Sequence, residues 1–388
     1  MEKRTNDPSF QSSLESILRL VTDLVICYKH NVEKELRACG RSRLARLVDQ
    51  LPLSNAKQLK QLSINDLPTA NHALALAAAS SSILDAKEHH FSSASENADV
   101  ALIMLGLPLG QPLLDFIGLL QRNSVIHHLP ASQSTGDVSF CTNEAERVNE
   151  EIRNMAEPCA EVTEAHFSDA HFSEFFKHDK PVVIRQLAAA WPAVRKWINP
   201  LYLKNSYGHR IVPVEYSIPG APIKERFASL AEVIDMMTRQ SHTTENVYMA
   251  QHPLLDYIPA LRKDISQPHY MKAAGKDTAD LVNLWMGSAG TGTKLHFDSA
   301  DNILVQLVGR KKLVLIDPKQ SHLLYPTSSG ANISTVDVEN PDHTKFPRFC
   351  EARGMTVYLE PGDALYMPAH YWHWVRAISS SMSINFWF

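Results

Sequence analysis

The chain has 388 residues, of which 44% are hydrophobic and 21% charged, as in an ordinary globular protein. Lys and Arg number 38 against 42 Asp and Glu, and a net charge of −4 argues against direct nucleic-acid binding. Five cysteines without a Cys-x-x-Cys pair favour a reducing compartment over a disulfide framework.

No membrane association is expected from the sequence. The apolar stretch from Leu102 to Leu120 is interrupted by two prolines and an aspartate, so it does not read as a membrane span. The first residues lack the apolar segment of a signal peptide. We therefore expect the nucleus, the cytoplasm or both.

The N-terminal part has helical periodicity. Apolar residues recur at helical spacing from Leu14 to Val25, and an Ala-rich run extends from Ala70 to Ala79. We predict an all-α N-terminal region over residues 1–155, with a loop at 125–136. The apolar faces of its helices suggest a partner-binding or autoinhibitory module.

From about residue 156 the pattern changes to short β-branched runs. Short helices are predicted at 166–176, 191–197 and 230–239, and strands at 181–185, 210–216, 247–252, 281–286, 303–308, 312–316, 355–359, 364–367, 373–377 and 382–388. Gly309-Arg310 is predicted to turn a hairpin between the strands on either side of it. Many short strands predict a mainly-β domain over 156–388, a β-barrel or jelly roll whose core spans about 247–388.

A His-x-Asp pair lies within this β region. Strand alternation would place His296 and Asp298 on the same face, as a chelate requires. His373, which lies between two tryptophans at the start of a predicted strand, is our preferred third ligand, and His370 is a competing candidate. Two histidines and a carboxylate match the facial triad of a non-haem Fe(II) oxygenase, whose open positions accept a 2-oxo acid and dioxygen. The His-x-Asp pair alone is equally compatible with a surface histidine and aspartate in a loop after a strand.

Lys311 strengthens this hypothesis. A lysine buried in a barrel needs an anionic partner, because an isolated buried charge is costly. The distal carboxylate of a 2-oxo diacid would be such a partner, whereas a lysine at a hairpin tip would lie in water. Tyr248, Thr293 and Asn302 could complete the diacid pocket, although each alone is more often structural.

The chain resembles the JmjC family of Fe(II)/2-oxoglutarate oxygenases over about Val162 to Phe388. The resemblance is strongest to the subgroup of JmjC-domain-containing protein 5, also called lysine demethylase 8. It rests on separate motifs that occur in the same order, namely Lys180-Pro181-Val182-Val183-Ile184, Tyr248-Met249-Ala250-Gln251-His252, Val336-Asp337-Val338-Glu339-Asn340-Pro341, Tyr371-Trp372-His373 and Ser383-Ile384-Asn385-Phe386-Trp387.

The resemblance implies a double-stranded β-helix of the cupin or jelly-roll type, with helices packed outside. It implies that iron is bound by His296, Asp298 and His373. The residues that it implies for 2-oxoglutarate are Lys311, Tyr248, Thr293, Asn302 and Asn385, and those for the substrate are Glu215 and Trp285.

The implied activity is oxygenation of a protein side chain with Fe(II), 2-oxoglutarate and O2. Arginyl C-hydroxylation and histone N-methyl-lysine demethylation both fit, since a carboxylate at Glu215 suits a cationic side chain of a histone or another nuclear or cytoplasmic protein. One alternative is a catalytically silent JmjC scaffold that binds chromatin or proteins. Another is a cupin-like metal enzyme without an oxo acid, which would not need Lys311.

Overall fold

The computed structural model describes residues 156–218, 221–239, 245–328 and 331–388, together with 78–79, 91–105, 113–117 and the single positions 82, 85, 111 and 140. The periodic run from Leu14 to Val25, most of the Ala-rich run and the loop at 125–136 lie outside the described residues. The chain divides into two compact units. The smaller combines residues up to Thr135 with Leu203–Glu215 and Ile223–Glu232, and the remainder forms the larger. The predicted domain boundary at residue 155 stays a prediction.

The described helices and strands follow the predicted order closely. The helices are α1 (Phe91–Leu105), α2 (Asp169–Lys177), α3 (Pro192–Lys196), α4 (Pro200–Tyr207), α5 (Leu230–Thr238) and α6 (Leu254–Tyr257). The strands are β1 (Ala156–Pro158), β2 (Ala160–Thr163), β3 (Val182–Arg185), β4 (Ile211–Ser217), β5 (Lys224–Ser229), β6 (Asn246–His252), β7 (Leu281–Gly287), β8 (Gly292–His296), β9 (Asn302–Val308), β10 (Lys311–Ile316), β11 (Gly354–Leu359), β12 (Ala364–Met367), β13 (Trp372–Ala377) and β14 (Ser381–Trp387).

Two sheets form the larger unit. One has the order β1-β11-β10-β13-β8, and the other contains the run β2-β3-β12-β9-β14-β7-β6. Side chains of both sheets meet in one apolar cluster, in which Leu304 and Leu365 pack with Leu313, Val357 and Val375. The fold is therefore a cupin-like jelly roll, as the sequence predicts.

The predicted hairpin around Gly309-Arg310 is wrong. β9 pairs with β12 and β14, whereas β10 pairs with β11 and β13, so the two-residue connection carries the chain from one sheet to the other. The glycine correctly predicts that the chain turns here, since Gly309 adopts a positive φ of 68°, which glycine tolerates best. The strand partners are decided instead by burial of both strands in the jelly roll.

One inner face of the second sheet is unusually polar. Asn385 lies opposite Asn283 on β7, and Ser383 lies opposite Gln306 on β9. Trp387 lies opposite Asn302 in the same way. Because side chains at alternate positions share a face, these strands place a row of amides and hydroxyls inside the jelly roll.

The smaller unit contains a buried ion pair. Arg210 precedes β4 and donates to both carboxylate oxygens of Asp99 on α1, at 2.6 to 2.9 Å. The backbone N–H of Ile211 donates to the same carboxylate at 3.1 Å. The two side chains are 4% and 1% exposed, so this pair joins α1 to the β4 segment within the unit.

None of the helices in the described residues is both long and apolar enough to cross a membrane.

Candidate metal centre and cosubstrate pocket

Pairing of β8 with β13 brings the two predicted histidine ligands together. His296 is the last residue of β8 and lies directly opposite His373 on β13, with the ring centroids 4.2 Å apart. Asp298 lies beyond the end of β8, so strand alternation is not what aligns it, yet its carboxylate oxygens lie 3.9 Å from His296 Nε2 and 3.7 Å from His373 Nε2. One ligand atom from each residue lies within 4.8 Å of the others, the geometry that a shared metal ion needs.

Backbone carbonyls orient both rings. His296 Nδ1 lies 2.7 Å from the carbonyl oxygen of Lys294, and His373 Nδ1 lies 3.0 Å from that of Tyr371. A ring whose Nδ1–H donates to a carbonyl keeps Nε2 as the lone-pair donor, which is the usual arrangement of histidine ligands. Burial, with a contribution from neighbouring His296, lowers the pKa of His373 to about 3, so the imidazole is neutral at physiological pH.

The competing candidate, His370, is not part of this cluster. Its backbone has a φ of 65°, and its N–H donates to the carbonyl oxygen of Asp298 at 2.7 Å. His370 therefore supports the Asp298 loop through its backbone.

A second anchor holds the same loop. Asp301 accepts hydrogen bonds from the Tyr366 hydroxyl at 2.8 Å and from the backbone N–H of Ala369 at 3.2 Å.

Burial raises the pKa of Asp298, and the adjacent His296 opposes that shift. A bound cation would favour the carboxylate form more strongly than the histidine does.

A cavity of about 200 Å³ opens beside the three residues. The predicted cosubstrate residues line it, and they are Tyr248, Thr293, Asn302, Lys311 and Asn385. Lys311 begins β10 and is 3% exposed, so it is buried in the jelly roll and is not the solvated hairpin-tip lysine that the sequence left open as an alternative.

The Lys311 ammonium is held by a neutral group. Its Nζ donates to the Ser383 hydroxyl at 2.5 Å, and no carboxylate pairs with it in the described part of the chain. Burial lowers its pKa to about 7. An anion inside the cavity would supply the missing charge partner.

Four further polar atoms around the cavity are buried without a hydrogen-bond partner among the described residues. They are Thr293 Oγ1, Asn302 Oδ1, Asn385 Nδ2 and Trp387 Nε1. Leaving such a group unsatisfied typically costs about 1–3 kcal/mol, so clusters of them indicate that a polar ligand or water completes the site. Together with Lys311, these residues fit a carboxylate-bearing ligand beside the metal cluster.

The two predicted substrate residues lie in different units. Trp285 lines the cavity, stacks 6.1 Å from the Tyr248 ring and donates from Nε1 to Asn385 Oδ1 at 2.7 Å. Glu215 belongs to the smaller unit, and its role at the site stays a prediction. Burial and the nearby Glu225 raise the pKa of Glu215, so a cationic partner would stabilise the charged form of this carboxylate.

Ser383 and Gln251 are among the residues at the site that were not predicted. Ser383 holds Lys311, and its position two residues before Asn385 on one strand was a signal that could have identified it. Gln251 also lines the cavity, at an irregularity in β6 where its φ is 48°. No sequence pattern marks that irregularity, because neither glycine nor proline occurs in β6.

The chain is similar to several known proteins. The family of the Cupin-like domain matches residues 168–388. Lysine-specific demethylase JMJ30 of Arabidopsis thaliana is 33% identical over 321 residues, which cover 76% of this chain and 75% of the relative. Lysine-specific demethylase 8 of Danio rerio is 33% identical over 304 residues, covering 76% and 74%. Jumonji C domain-containing protein 5 of Drosophila melanogaster is 35% identical over 222 residues, covering 55% of each chain.

Proposed function

The chain belongs to the cupin-like JmjC family of Fe(II)- and 2-oxoglutarate-dependent dioxygenases, and we propose that it hydroxylates a cationic side chain of a protein. The observation that carries the proposal is the cavity beside the His296, Asp298 and His373 cluster. It presents to a single ligand one buried ammonium that has no carboxylate partner among the described residues, together with four unsatisfied polar atoms. Neither a silent scaffold nor a metal enzyme without an oxo acid requires these groups.

His296, Asp298 and His373 would hold the metal, because two neutral imidazoles and one carboxylate are the donor set of such iron centres. When bound, Fe(II) and 2-oxoglutarate supply the oxidation chemistry, in which O2 hydroxylates a C–H bond while the oxo acid becomes succinate and CO2. The Nδ1–carbonyl hydrogen bonds keep both rings oriented before the metal arrives.

The remaining residues position and shield the reactants. Lys311 would pair with the distal carboxylate of 2-oxoglutarate, the Thr293 hydroxyl and the Asn385 amide N–H would donate to its oxygens, and Asn302 would lie beside it. The rings of Tyr248 and Trp285 form an aromatic wall of the cavity, which would shield bound reactants from water. Fixing the reactants in this way gives the protein its share of the rate enhancement.

For the substrate, we infer a peptide segment with an arginine or a methylated lysine. Relatives at 33% identity are named lysine-specific demethylases, and the half-buried Glu215 suits a cation. Hydroxylation of an arginine carbon gives a stable product, whereas hydroxylation of an N-methyl carbon collapses to formaldehyde and the demethylated amine. The chemistry at the metal is the same, so the substrate decides the outcome. A nuclear or cytoplasmic location stays a prediction.

The test is mass spectrometry of histone-tail and arginine-containing peptides incubated with the full chain, Fe(II), ascorbate and 2-oxoglutarate. A gain of one oxygen on arginine supports a hydroxylase, and loss of a methyl group from lysine supports a demethylase. Succinate release should require Lys311. A chain that binds peptides but forms no succinate would be a scaffold, and a Lys311→Ala variant with full activity would indicate an enzyme without an oxo acid.

A further inference from the structure

A second cleft, of about 410 Å³, lies in the larger unit and shares no lining residue with the metal cavity. We call it the side cleft. Its walls are the end of α2 with the segment to Pro181, the helical turn at 317–320, the segment 353–355 and Tyr371. A cavity of this volume falls within the range that small ligands occupy.

Charged groups of both signs surround the side cleft in equal number. They are the cations Lys180, Lys319 and Arg353 and the carboxylates Glu157, Asp179 and Asp317. In the part of the chain that the structure describes, none of these six groups forms an ion pair with another side chain. A simple anion would meet the carboxylates, and a simple cation would meet the lysines and the arginine.

Tyr371 supplies an independent indication of a ligand. The residue is 6% exposed and lines the side cleft, and its hydroxyl has no hydrogen-bond partner among the described residues. The ring is buried, but the hydroxyl is not among the fully buried polar atoms that lack a partner, so it is open to the side cleft. A ligand in the cleft would accept the hydrogen bond of this hydroxyl.

An apolar wall completes the side cleft. Phe175, Pro181, Leu315 and Met355 line it beside the ring of Tyr371. Leu315, Tyr371 and Met355 also belong to the packed interior of the jelly roll, so this wall is fixed by the core. The site thus combines a rigid apolar surface with charges of both signs, which matches a small zwitterion with an apolar side chain.

We propose that the side cleft binds an amphoteric ligand of amino-acid type, either free or as a short peptide with both termini free. The lysines and the arginine receive its carboxylate, and the acidic side chains receive its ammonium. The Tyr371 hydroxyl donates to the carboxylate, and the apolar side chain of the ligand lies against Phe175 and Met355.

The test measures binding of L-phenylalanine, L-methionine and the dipeptide Phe-Met to the full metal-free chain by saturation-transfer NMR and calorimetry. We expect binding of at least one, and loss of about tenfold in affinity when its amine is acetylated or its carboxylate amidated. Tighter binding of the dipeptide than of either amino acid would identify a short peptide as the ligand. Tighter binding of an amino acid would identify a free amino acid as the ligand. Absence of binding by all three, or equal binding of the blocked forms, overturns the proposal.

Variants locate the ligand. Lys319→Gln and Tyr371→Phe should each weaken binding by about fivefold. Lys263→Gln removes an exposed lysine outside the side cleft and should leave binding unchanged. Because Lys319 is exposed, its replacement keeps the test valid even if Tyr371→Phe impairs folding. Unchanged affinity in Lys319→Gln and in a folded Tyr371→Phe would place the ligand elsewhere and refute the assignment. The assay needs no metal, so its outcome is independent of oxygenase activity.

Discussion

At the scale of single residues, the charge of Lys311 is the most informative feature of the candidate site. Its ammonium lies inside the jelly roll with a hydroxyl as its partner, an arrangement that is costly until an anion binds. Replacement by methionine, which keeps much of the side-chain volume, should lower the affinity for 2-oxoglutarate by about 100-fold, equivalent to about 2.7 kcal/mol.

The Lys311→Met variant should bind metal normally, because Lys311 is not part of the metal cluster. Its thermal stability without ligand should equal or exceed that of the parent, since an unpaired buried charge is removed. Calorimetric titration with 2-oxoglutarate, with Lys263→Gln as the matched control, measures the effect. Undiminished affinity would show that the cosubstrate does not use this lysine.

The pKa of Lys311 also predicts a pH dependence. Its pKa is about 7 in the folded chain against an ordinary 10.5, so the ammonium is present below about pH 7 and lost above it. Affinity for 2-oxoglutarate should be constant below about pH 7 and fall by up to about tenfold per pH unit above it. Calorimetry across this range checks the slope, which the Lys311→Met variant should lack.

The lowered pKa of Lys311 also makes the free energy of unfolding of the ligand-free chain depend on pH, and the direction of this dependence can be predicted. Between about pH 7 and 10.5 the unfolded chain binds the Lys311 proton and the folded chain does not. The free energy of unfolding that this residue contributes therefore rises with pH through that window and is constant below it. The difference between the parent and Lys311→Met in urea unfolding, measured at several pH values, isolates this contribution.

At the scale of elements, the sequence predicts strands better than their partners. Alternation and turn residues locate β9 and β10, yet they suggest a hairpin where the chain changes sheets. Strand pairing is a long-range property, because β8 finds β13 across about eighty residues of intervening chain. The spacing of His296 and Asp298 nominated both as ligands, although Asp298 lies beyond the end of β8 and strand alternation does not align it. The sequence likewise indicates that Ser383 shares a strand face with Asn385, but not that Ser383 contacts Lys311.

The crossing between the sheets depends on Gly309. Its φ is 68°, and an added Cβ would lie 2.0 Å from the carbonyl oxygen of Ser380. Gly309→Ala should therefore destabilise the fold by about 3 kcal/mol or more, the sum of a backbone in an unfavourable region and a backbone clash. Gly275→Ala is the matched control, since Gly275 has a φ of 77° but no atom within 4 Å of the added Cβ.

Urea unfolding of the two glycine variants separates the contributions. Gly275→Ala should lose only about 1 kcal/mol, the strain of a positive φ alone. Equal losses in both variants would mean that the crossing can shift away from Ser380 and that the close approach is not required.

At the scale of the whole molecule, segments that are distant in sequence belong to one unit. Leu203–Glu215 and Ile223–Glu232 group with residues up to Thr135, and the boundary predicted at residue 155 stays a prediction. Periodicity reports local structure, so it could not reveal that Arg210 is paired with Asp99, 111 positions earlier.

This pairing makes a prediction about truncation. A chain that begins at residue 156 lacks Asp99, so the buried Arg210 guanidinium loses its carboxylate. Breaking a buried pair by removal of one partner typically costs about 3–5 kcal/mol. The truncated chain should therefore unfold at a lower temperature than the full chain, and Arg210→Met should recover part of the loss.

In the full chain, Asp99→Asn should reproduce much of the destabilisation, while the double variant Asp99→Leu with Arg210→Met should approach the parent. Thermal unfolding of the parent, its two variants and the truncated chain with and without Arg210→Met, followed by circular dichroism, gives the comparison. If Arg210→Met fails to stabilise the truncated chain, the effect of truncation arises from other contacts of the N-terminal residues. If it succeeds, any activity lost by the truncated chain must be measured in the Arg210→Met background, where a partner-binding role of the N-terminal helices is no longer masked by unfolding.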